Sequence, residues 1–487
     1  TVTGVQTCAL PILIIDYDFL EAYVDMESAM APDAIPLYES VGSNVVVDST
    51  VFGMPGIADD AFDGCDVVVR ARINNQRVAP CPLEVRGSAA VWHDGRLIQW
   101  ISSQHAQGAK SRIATTLGVE PDVVRIITPD VGGGFGAKID AYPEEVLLGM
   151  LAKRTGRPVR WRETRSESMV ALGHGRAQIQ DVAIGGTRDG KVLAYTLKVF
   201  QDAGAFVDIG SILAPFMTRP MASGVYAIPR IDVHTVSVTT NTTPTVAYRG
   251  AGRPEATAAI ERAMDLFAAE LGMDPADVRR KNLIGKFMEP HTTAIGQTYD
   301  VGDFEGALDR ALATANYAQL RADQRARRER GDRLQLGIGV SVYVEITAGT
   351  STSEDAKVEV LPNGRAVVYT GTSPHGQGHV TSWSMIAAEE TGIAMEDIDV
   401  VWGDTDLVPV GGGTMGSRSL QLGGAAVQQA SRELIEQAKR HAARLLEANE
   451  ADVVFDRDHG AFHVAGTPAV AKTWADVALA QIGRAHV

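Results

Sequence analysis

Twice in this chain a helix-stopping glycine leads through a short strand into a run of three glycines. LGVEPDVVRIITPDVGGGFGAK does so from Gly118 to Lys138, and TGIAMEDIDVVWGDTDLVPVGGGTMGSRS does so from Gly392 to Ser419. Glycine runs tolerate positive φ and let a backbone approach another group closely, so they constrain a fold more tightly than an apolar stretch does. The two segments are not homologous repeats. Their shared plan of helix, glycine stop, strand and triple-glycine loop predicts two similar α+β domains facing one ligand.

The remaining punctuation agrees with a mixed fold. Asp94-Gly95, Asp189-Gly190 and Asn363-Gly364 lie between alternating apolar runs and predict three hairpins with type I′ turns. Pro143, Glu144, Glu145 and Gly156 bound a helix in YPEEVLLGMLAKRTG. Ala256, Ile260, Ala263, Phe267 and Leu271 share one face of a helix that Gly272 closes. Residues 379–391 and 424–448 read as helices in the same way, and the charged stretch 317–333 reads as a solvated helix or linker. The ends, 1–12 and 482–487, resemble translated sequencing-adaptor read-through and are set apart as non-native. The expected division is a remnant of an N-terminal α+β domain over 13–55, a first cofactor domain over 56–310, a charged linker helix over 311–333 and part of a second cofactor domain over 334–481.

Composition excludes several classes. Lys plus Arg number 45 against 60 Asp plus Glu, and a net charge of −15 argues against nucleic acid as partner. No apolar run approaches the ~18 residues of a membrane helix. The three cysteines, Cys8, Cys65 and Cys81, form no CxxC, and a protein-held iron–sulfur cluster needs about four thiolates. A reducing cytoplasm fits this usage, with Cys65 and Cys81 as small buried apolar residues.

Four loops carry the chemistry: GGGFGAK at 132–138, AYRGAGRPEA at 247–256 with Arg249 and Arg253, HGQGHVTS at 375–382, and GDTD at 403–406 followed by GGGTMGSRS at 411–419. Each mixes glycine with hydrogen-bonding groups, mostly uncharged, plus a few arginines. That suits a large polar cofactor bearing phosphate. Gly132-x-Gly134-x-x-Ala137 matches the dinucleotide fingerprint formally, but no acidic strand end follows about 20 residues on. Ala137 excludes a Walker A loop. His375 and His379 are spaced like zinc ligands, yet the Gly-Gln-Gly between them disfavours a helix, and no metal ligand set is expected.

Together with NQRVAPCPLEVRG and SSQHAQG, these motifs resemble, in order, the molybdenum-binding large subunit of the xanthine dehydrogenase/aldehyde oxidase family, closest to its carbon-monoxide-dehydrogenase-like, aerobic-type branch. The resemblance runs from about Asn74 to Gly424. It implies molybdenum held by a pterin dithiolene, in bacteria usually the cytosine dinucleotide form. It implies hydroxylation of an aldehyde or N-heterocyclic C–H with oxygen from water, and electrons leaving to a flavin (FAD) medium subunit and a 2Fe-2S small subunit in a cytoplasmic dimer of heterotrimers. Gln104 matches the glutamine beside a molybdenum oxo ligand. Gly133, Gly134, Phe135 and Gly136 match the loop over the metal, and Arg249 matches the arginine that steadies substrate or transition state. Gly376, Gln377, Gly378, His379, Thr414, Ser417, Arg418 and Ser419 match the loops holding pterin and nucleotide. Two positions depart from relatives. Gly250 stands where true carbon monoxide dehydrogenases carry a copper-binding cysteine, and Ile139 stands where purine hydroxylases carry a glutamate. The family's catalytic glutamate falls beyond Val487, and neither Glu84 nor Glu345 has a comparable setting, so the chain as given is expected not to turn over. A non-catalytic cofactor-binding fragment and a nicotinamide-dependent dehydrogenase are the rival readings.

Overall fold

The computed structural model describes residues 16, 18–348, 352–480 and 485–486. Residues 1–12 and most of 482–487, the expected non-native ends, lie outside the described residues. The chain divides into two compact units that do not follow chain order. The first comprises the residues up to Pro80 together with Val170–Glu345, and the second comprises Cys81–Met169 together with Ile346–Val487.

The first unit is built on a five-stranded sheet in the order Val45–Asp48, Arg230–Thr239, Val192–Gly204, Gln178–Gly186, Val67–Asn75. Only the pairing of Val192–Gly204 with Arg230–Thr239 is parallel, and the helix Ile209–Thr218 lies in the connection between them. The helix Arg253–Leu271 buries Ala256, Ile260, Ala263 and Phe267, the face expected from sequence, with Leu271 packed at its margin. These side chains meet Ile184, Tyr195, Leu197 and Val199 of the sheet, and each large buried one contributes roughly 1.5–3 kcal/mol.

The second unit contains the duplicated plan. In its first copy the hairpin Gly87–His93 and Arg96–Ile101 leads into the helix Ala106–Leu117, then Gly118 in the left-handed region, then Val124–Ile127 parallel to Arg96–Ile101. In its second copy the hairpin Ala356–Val360 and Ala366–Thr370 leads into the helix His379–Thr391, then Gly392, then Ile398–Val401 parallel to Ala366–Thr370. Each copy is packed by a further helix, Pro143–Thr155 or Ala425–Leu445, the latter burying Val427, Leu434 and Ile435.

Several expectations change. Residues 81–169, placed by sequence in the 56–310 domain, pack instead with the second half of the chain. The reason is a set of direct attachments: Ile127 bridges Asp404, Arg125 pairs with Asp404 at 2.5 Å, and Arg96 pairs with Asp406 at 2.9 Å. The GDTD loop is therefore a staple between the copies. The 13–55 stretch is not a separate remnant where described, because Val45–Asp48 forms the sheet edge beside Arg230–Thr239 and Met26 and Ala29 pack on Val236 and Val238. Of the three hairpins only Asp94-Gly95 has positive φ at both turn residues. The other two loop through three residues, 188–190 and 362–364, with only Gly190 or Gly364 left-handed, closed by Thr187 N to Lys191 O and Leu361 N to Arg365 O. Cys81 is exposed rather than buried.

One buried carboxyl makes the second unit pH-sensitive. Glu145, 1% exposed, accepts a hydrogen bond from Tyr142 N at 2.8 Å. Burial raises it from 4.5 to about 7, against the opposing pull of that hydrogen bond and of Arg86. The folded state thus holds a proton that the unfolded state releases, so the contribution of Glu145 to stability is full below about pH 4.5 and is lost as pH rises towards 7. Glu145→Gln keeps the acceptor without the charge. It should raise the denaturant midpoint at pH 8 by the equivalent of about 3 kcal/mol or less, with the difference vanishing near pH 4.5. A difference independent of pH would refute this assignment.

Candidate functional site

The two triple-glycine loops meet at one side chain. Gln104 follows the strand Arg96–Ile101, just before the helix Ala106–Leu117, and is 1% exposed. Its Oε1 accepts from Gly136 N at 2.8 Å and from Lys138 N at 3.2 Å, while its Nε2 donates to Thr414 O at 3.0 Å. Its backbone continues the link, with Gln104 N donating to Lys138 O and Thr414 N donating to Gln104 O. Only one Nε2 hydrogen remains uncommitted. The approach is close enough to require glycine: a Cβ on Gly134 would lie 2.6 Å from Gln104 Cδ, and one on Gly413 would lie 2.6 Å from Gln104 O.

Each loop is held from behind by an ion pair, fully buried for Arg418–Glu354 and buried on the lysine side for Lys138–Glu84. Lys138 Nζ, 1% exposed as a residue, donates to Glu84 Oε2 at 3.0 Å, to Glu84 O and to Ser102 Oγ. Glu84 Oε2 also accepts from Gly132 N at 2.8 Å. Burial opposes ionisation of Glu84, but hydrogen bonds from Ser102 and Lys138 and the lysine charge outweigh it and hold the carboxyl below its usual range. In the second loop Arg418 donates to Glu354 Oε2 at 2.6 Å, to Gly413 O and to Ser353 O, while Gly412 N donates to Glu354. Arg418 is thus mainly a strut, and only its buried Nε lacks a partner among the described residues. Glu84 and Glu345, the carboxylates considered as bases, are both engaged: Glu345 pairs with Arg253 at 2.9 Å and accepts from Tyr343.

The loop at 375–379 is different in kind. A Cβ on Gly376 or Gly378 would meet nothing within 4 Å, so these glycines face open space rather than packed protein. Burial pushes His375 and His379 down to about 4, which leaves both imidazoles neutral at physiological pH. Gln377 is exposed and folds onto His375, accepting from its backbone N at 2.7 Å. His379 opens its helix and stacks on Trp383 at 5.1 Å between ring centroids. His375 stands before that helix, so the two do not share a helical face. Among the described residues no cluster of His, Cys, Asp and Glu could hold a metal ion.

Seven buried polar atoms in this unit have no partner among the described residues, and four of them belong to the 373–379 and 411–419 loops: Ser373 Oγ, His375 Nδ1, His379 Nδ1 and Arg418 Nε. Each such atom left unsatisfied costs about 1–3 kcal/mol, so a polar ligand fits their chemistry. Phe135 and Ser417 take left-handed φ of 57° each, and both are exposed. Ser419 Oγ contacts Thr414 Oγ1 at 3.2 Å, and Thr414 Oγ1 accepts from Ser373 N at 3.1 Å. Gly133 has φ of 100° within the same first loop. Arg249 belongs to the other unit, where its guanidinium is exposed and makes no hydrogen bond or ion pair among the described residues.

Sequence reasoning missed Glu84, Lys138 and Glu354 as loop supports. Lys138 closes a quoted motif, which was a usable signal. Glu354 lies in TSTSEDA, far from Arg418, with nothing local to mark it.

Comparison with known proteins agrees with this geometry. Residues 37–283 and 310–486 each match the family described as Molybdopterin cofactor-binding domain. The carbon monoxide dehydrogenase large chain of Hydrogenophaga pseudoflava is 35% identical over 95% of this chain and 61% of its own length. The nicotine 6-hydroxylase large subunit of Paenarthrobacter nicotinovorans is 31% identical over 87% of this chain and 53% of its own. The crystal structure of quinoline 2-oxidoreductase from Pseudomonas putida 86 superposes with a TM-score of 0.90 at 29% identity, covering 99% of this chain and 64% of that one. The chain thus spans less than two thirds of the length of these relatives. No described helix is long and apolar enough to cross a membrane. The mixed α+β fold, the glycine loops stitched by Gln104 and the two matched domains place this chain in the molybdopterin-binding large-subunit family of the molybdenum hydroxylases, alongside the carbon monoxide dehydrogenase and xanthine dehydrogenase large chains.

Proposed function

We propose that this chain is the cofactor-binding part of a hydroxylase that inserts oxygen from water into an aldehyde or N-heterocyclic C–H bond. The carrying observation is that four of the buried, unpartnered polar atoms fall together on the 373–379 and 411–419 loops, whose Gly376, Gly378 and Gly416 face open space. Ser373, His375, Gln377, His379, Thr414, Ser417, Ser419 and the Nε of Arg418 would hold the pterin and its nucleotide, taken to be the cytosine dinucleotide form. Neutral imidazoles suit this role, since each offers a donor or acceptor without a fixed charge. When bound, the molybdenum pterin supplies a two-electron acceptor. The net change is R–H plus water to R–OH, with two electrons and two protons released.

The chain's own residues prepare that site. Gln104 presents its remaining amide hydrogen from a position fixed by both glycine loops, and Phe135, held exposed in a left-handed loop, would bound the substrate. Arg249, with its unpaired guanidinium, would stabilise negative charge developing on the substrate. A flavin subunit and a 2Fe-2S subunit would accept the electrons, within a cytoplasmic dimer of heterotrimers. Carbon monoxide is not proposed as substrate. Gly250 takes φ of 97°, and a Cβ there would lie 2.5 Å from Pro254 Cγ, so a cysteine at this position would be strained.

Two measurements on the full-length subunit, co-expressed with its electron-transfer partners, test the reading. Metal and nucleotide analysis should return molybdenum equimolar with the chain and a released cytidine nucleotide, whereas stoichiometric zinc or bound NAD without molybdenum would overturn it. Arg249→Ala should lower turnover by roughly 10²-fold with molybdenum content unchanged. Unchanged turnover would remove Arg249 from the mechanism.

A further inference from the structure

Arg249 sits in a loop whose backbone is unusual: Gly250, Ala251 and Gly252 all have positive φ, at 97°, 31° and 93°. Such a loop keeps one shape only if its surroundings impose it. The surroundings are specific. Arg176 donates through Nη1 to Tyr248 O at 3.0 Å and through Nη2 to Arg249 O at 2.6 Å. The same guanidinium lies 4.6 Å from the centroid of the Tyr248 ring and pairs with Glu255 Oε1 at 3.2 Å. Glu255, with its side chain 1% exposed, accepts from Gly252 N at 2.7 Å through its other oxygen. One ion pair therefore grips the loop before, at and after the residue that carries the free guanidinium.

Arg176 is itself held at a conformational expense. Arg176 and Ala177 are consecutive non-glycine residues with φ of 61° and 58°. Three buried glutamines support them from the sheet. Gln201 Nε2 donates to Arg176 O at 2.9 Å, Gln178 Nε2 donates to Gln201 Oε1 at 3.0 Å, and Gln180 Nε2 donates to Gln178 Oε1 at 2.8 Å and to Glu255 O at 3.0 Å. The glutamine row thus ties both partners of the ion pair to one rigid surface. A buried polar network around a strained pair is more than a helix start needs, because Pro254 and the Gly252–Glu255 contact already serve that purpose.

We propose that Arg176 is a positioning residue for Arg249: by clamping the carbonyls of Tyr248 and Arg249 it fixes the backbone from which that guanidinium reaches substrate. This rests on the reading of Arg249 given above. A lysine in place of Arg176 would keep the charge beside Glu255, but one ammonium cannot reproduce a planar fork reaching two carbonyls.

The test uses the full-length, molybdenum-loaded complex and two readouts. In Arg176→Lys, hydrogen–deuterium exchange should rise in the peptide spanning Ala247–Gly252, and kcat should fall about tenfold with KM and metal content unchanged. In the Arg249→Ala background the same substitution should raise exchange equally but lower kcat no further. If Arg176→Lys fails to fold, Glu255→Gln, which keeps an acceptor for Gly252 N, should show the same pattern more weakly. Unchanged exchange would overturn the clamp. An equal fall in kcat in both backgrounds would reduce Arg176 to a structural residue and overturn its positioning role. Failure of the underlying reading looks different: Arg249→Ala alone would leave turnover intact while exchange in Arg176→Lys still rose.

Discussion

The second unit depends on a single carboxamide. Gln104 receives two amides from one glycine loop and donates to a carbonyl of the other, so the two copies of the duplicated plan converge on it. Glycine at 134 and 413 is needed less for open space than for contact, because the two backbones approach Gln104 more closely than any Cβ allows. Removing the carboxamide would strand buried amides on one side and a buried carbonyl on the other, each at about 1–3 kcal/mol.

Charge and hydrogen bonding are divided between frame and interior. The ion pairs Lys138–Glu84, Arg418–Glu354 and Arg125–Asp404 lie behind or between the loops and fix their courses. The groups left over for a ligand are almost all uncharged: two neutral imidazoles, a serine hydroxyl and an amide hydrogen. The Arg418–Glu354 pair, buried on both sides, cannot rearrange cheaply, because separating it leaves a buried charge uncompensated. Such a frame is stiff, and stiffness is what a large ligand bound by many weak contacts requires.

Much of this was legible in the sequence, for reasons that differ between elements. The helices stopping at Gly118, Gly156, Gly272 and Gly392 were found because a left-handed C-terminal residue is a local demand that glycine meets. The duplicated plan was visible for the same reason. The unit boundaries were not, because pairing between Arg125 and Asp404 links residues far apart and leaves no local mark. Turn type at Asp189-Gly190 and Asn363-Gly364 was misread because the dipeptide fixes where φ turns positive, not how many residues the loop takes. At the site, the motif residues were legible and their supports were not. Arg418 looked like a ligand-facing cation, and only the distant Glu354 shows why it is buried.

The interleaved course of the second unit also shapes how it is made. Its first segment, Cys81–Met169, leaves the ribosome before Val170–Glu345, and its partner segment follows only afterwards. At ~5–20 residues per second, the hairpin sheet and the Lys138–Glu84 anchor of that first segment wait roughly 10–30 s for the strands and GDTD staple that complete the unit. The intervening unit can gather its own sheet in that interval, since most of its strands lie within it. The nascent second unit instead exposes apolar helix faces and a Gln104 whose link to Thr414 is not yet made. It is therefore the stage of synthesis at which chaperone capture, or a cofactor arriving early, would matter most.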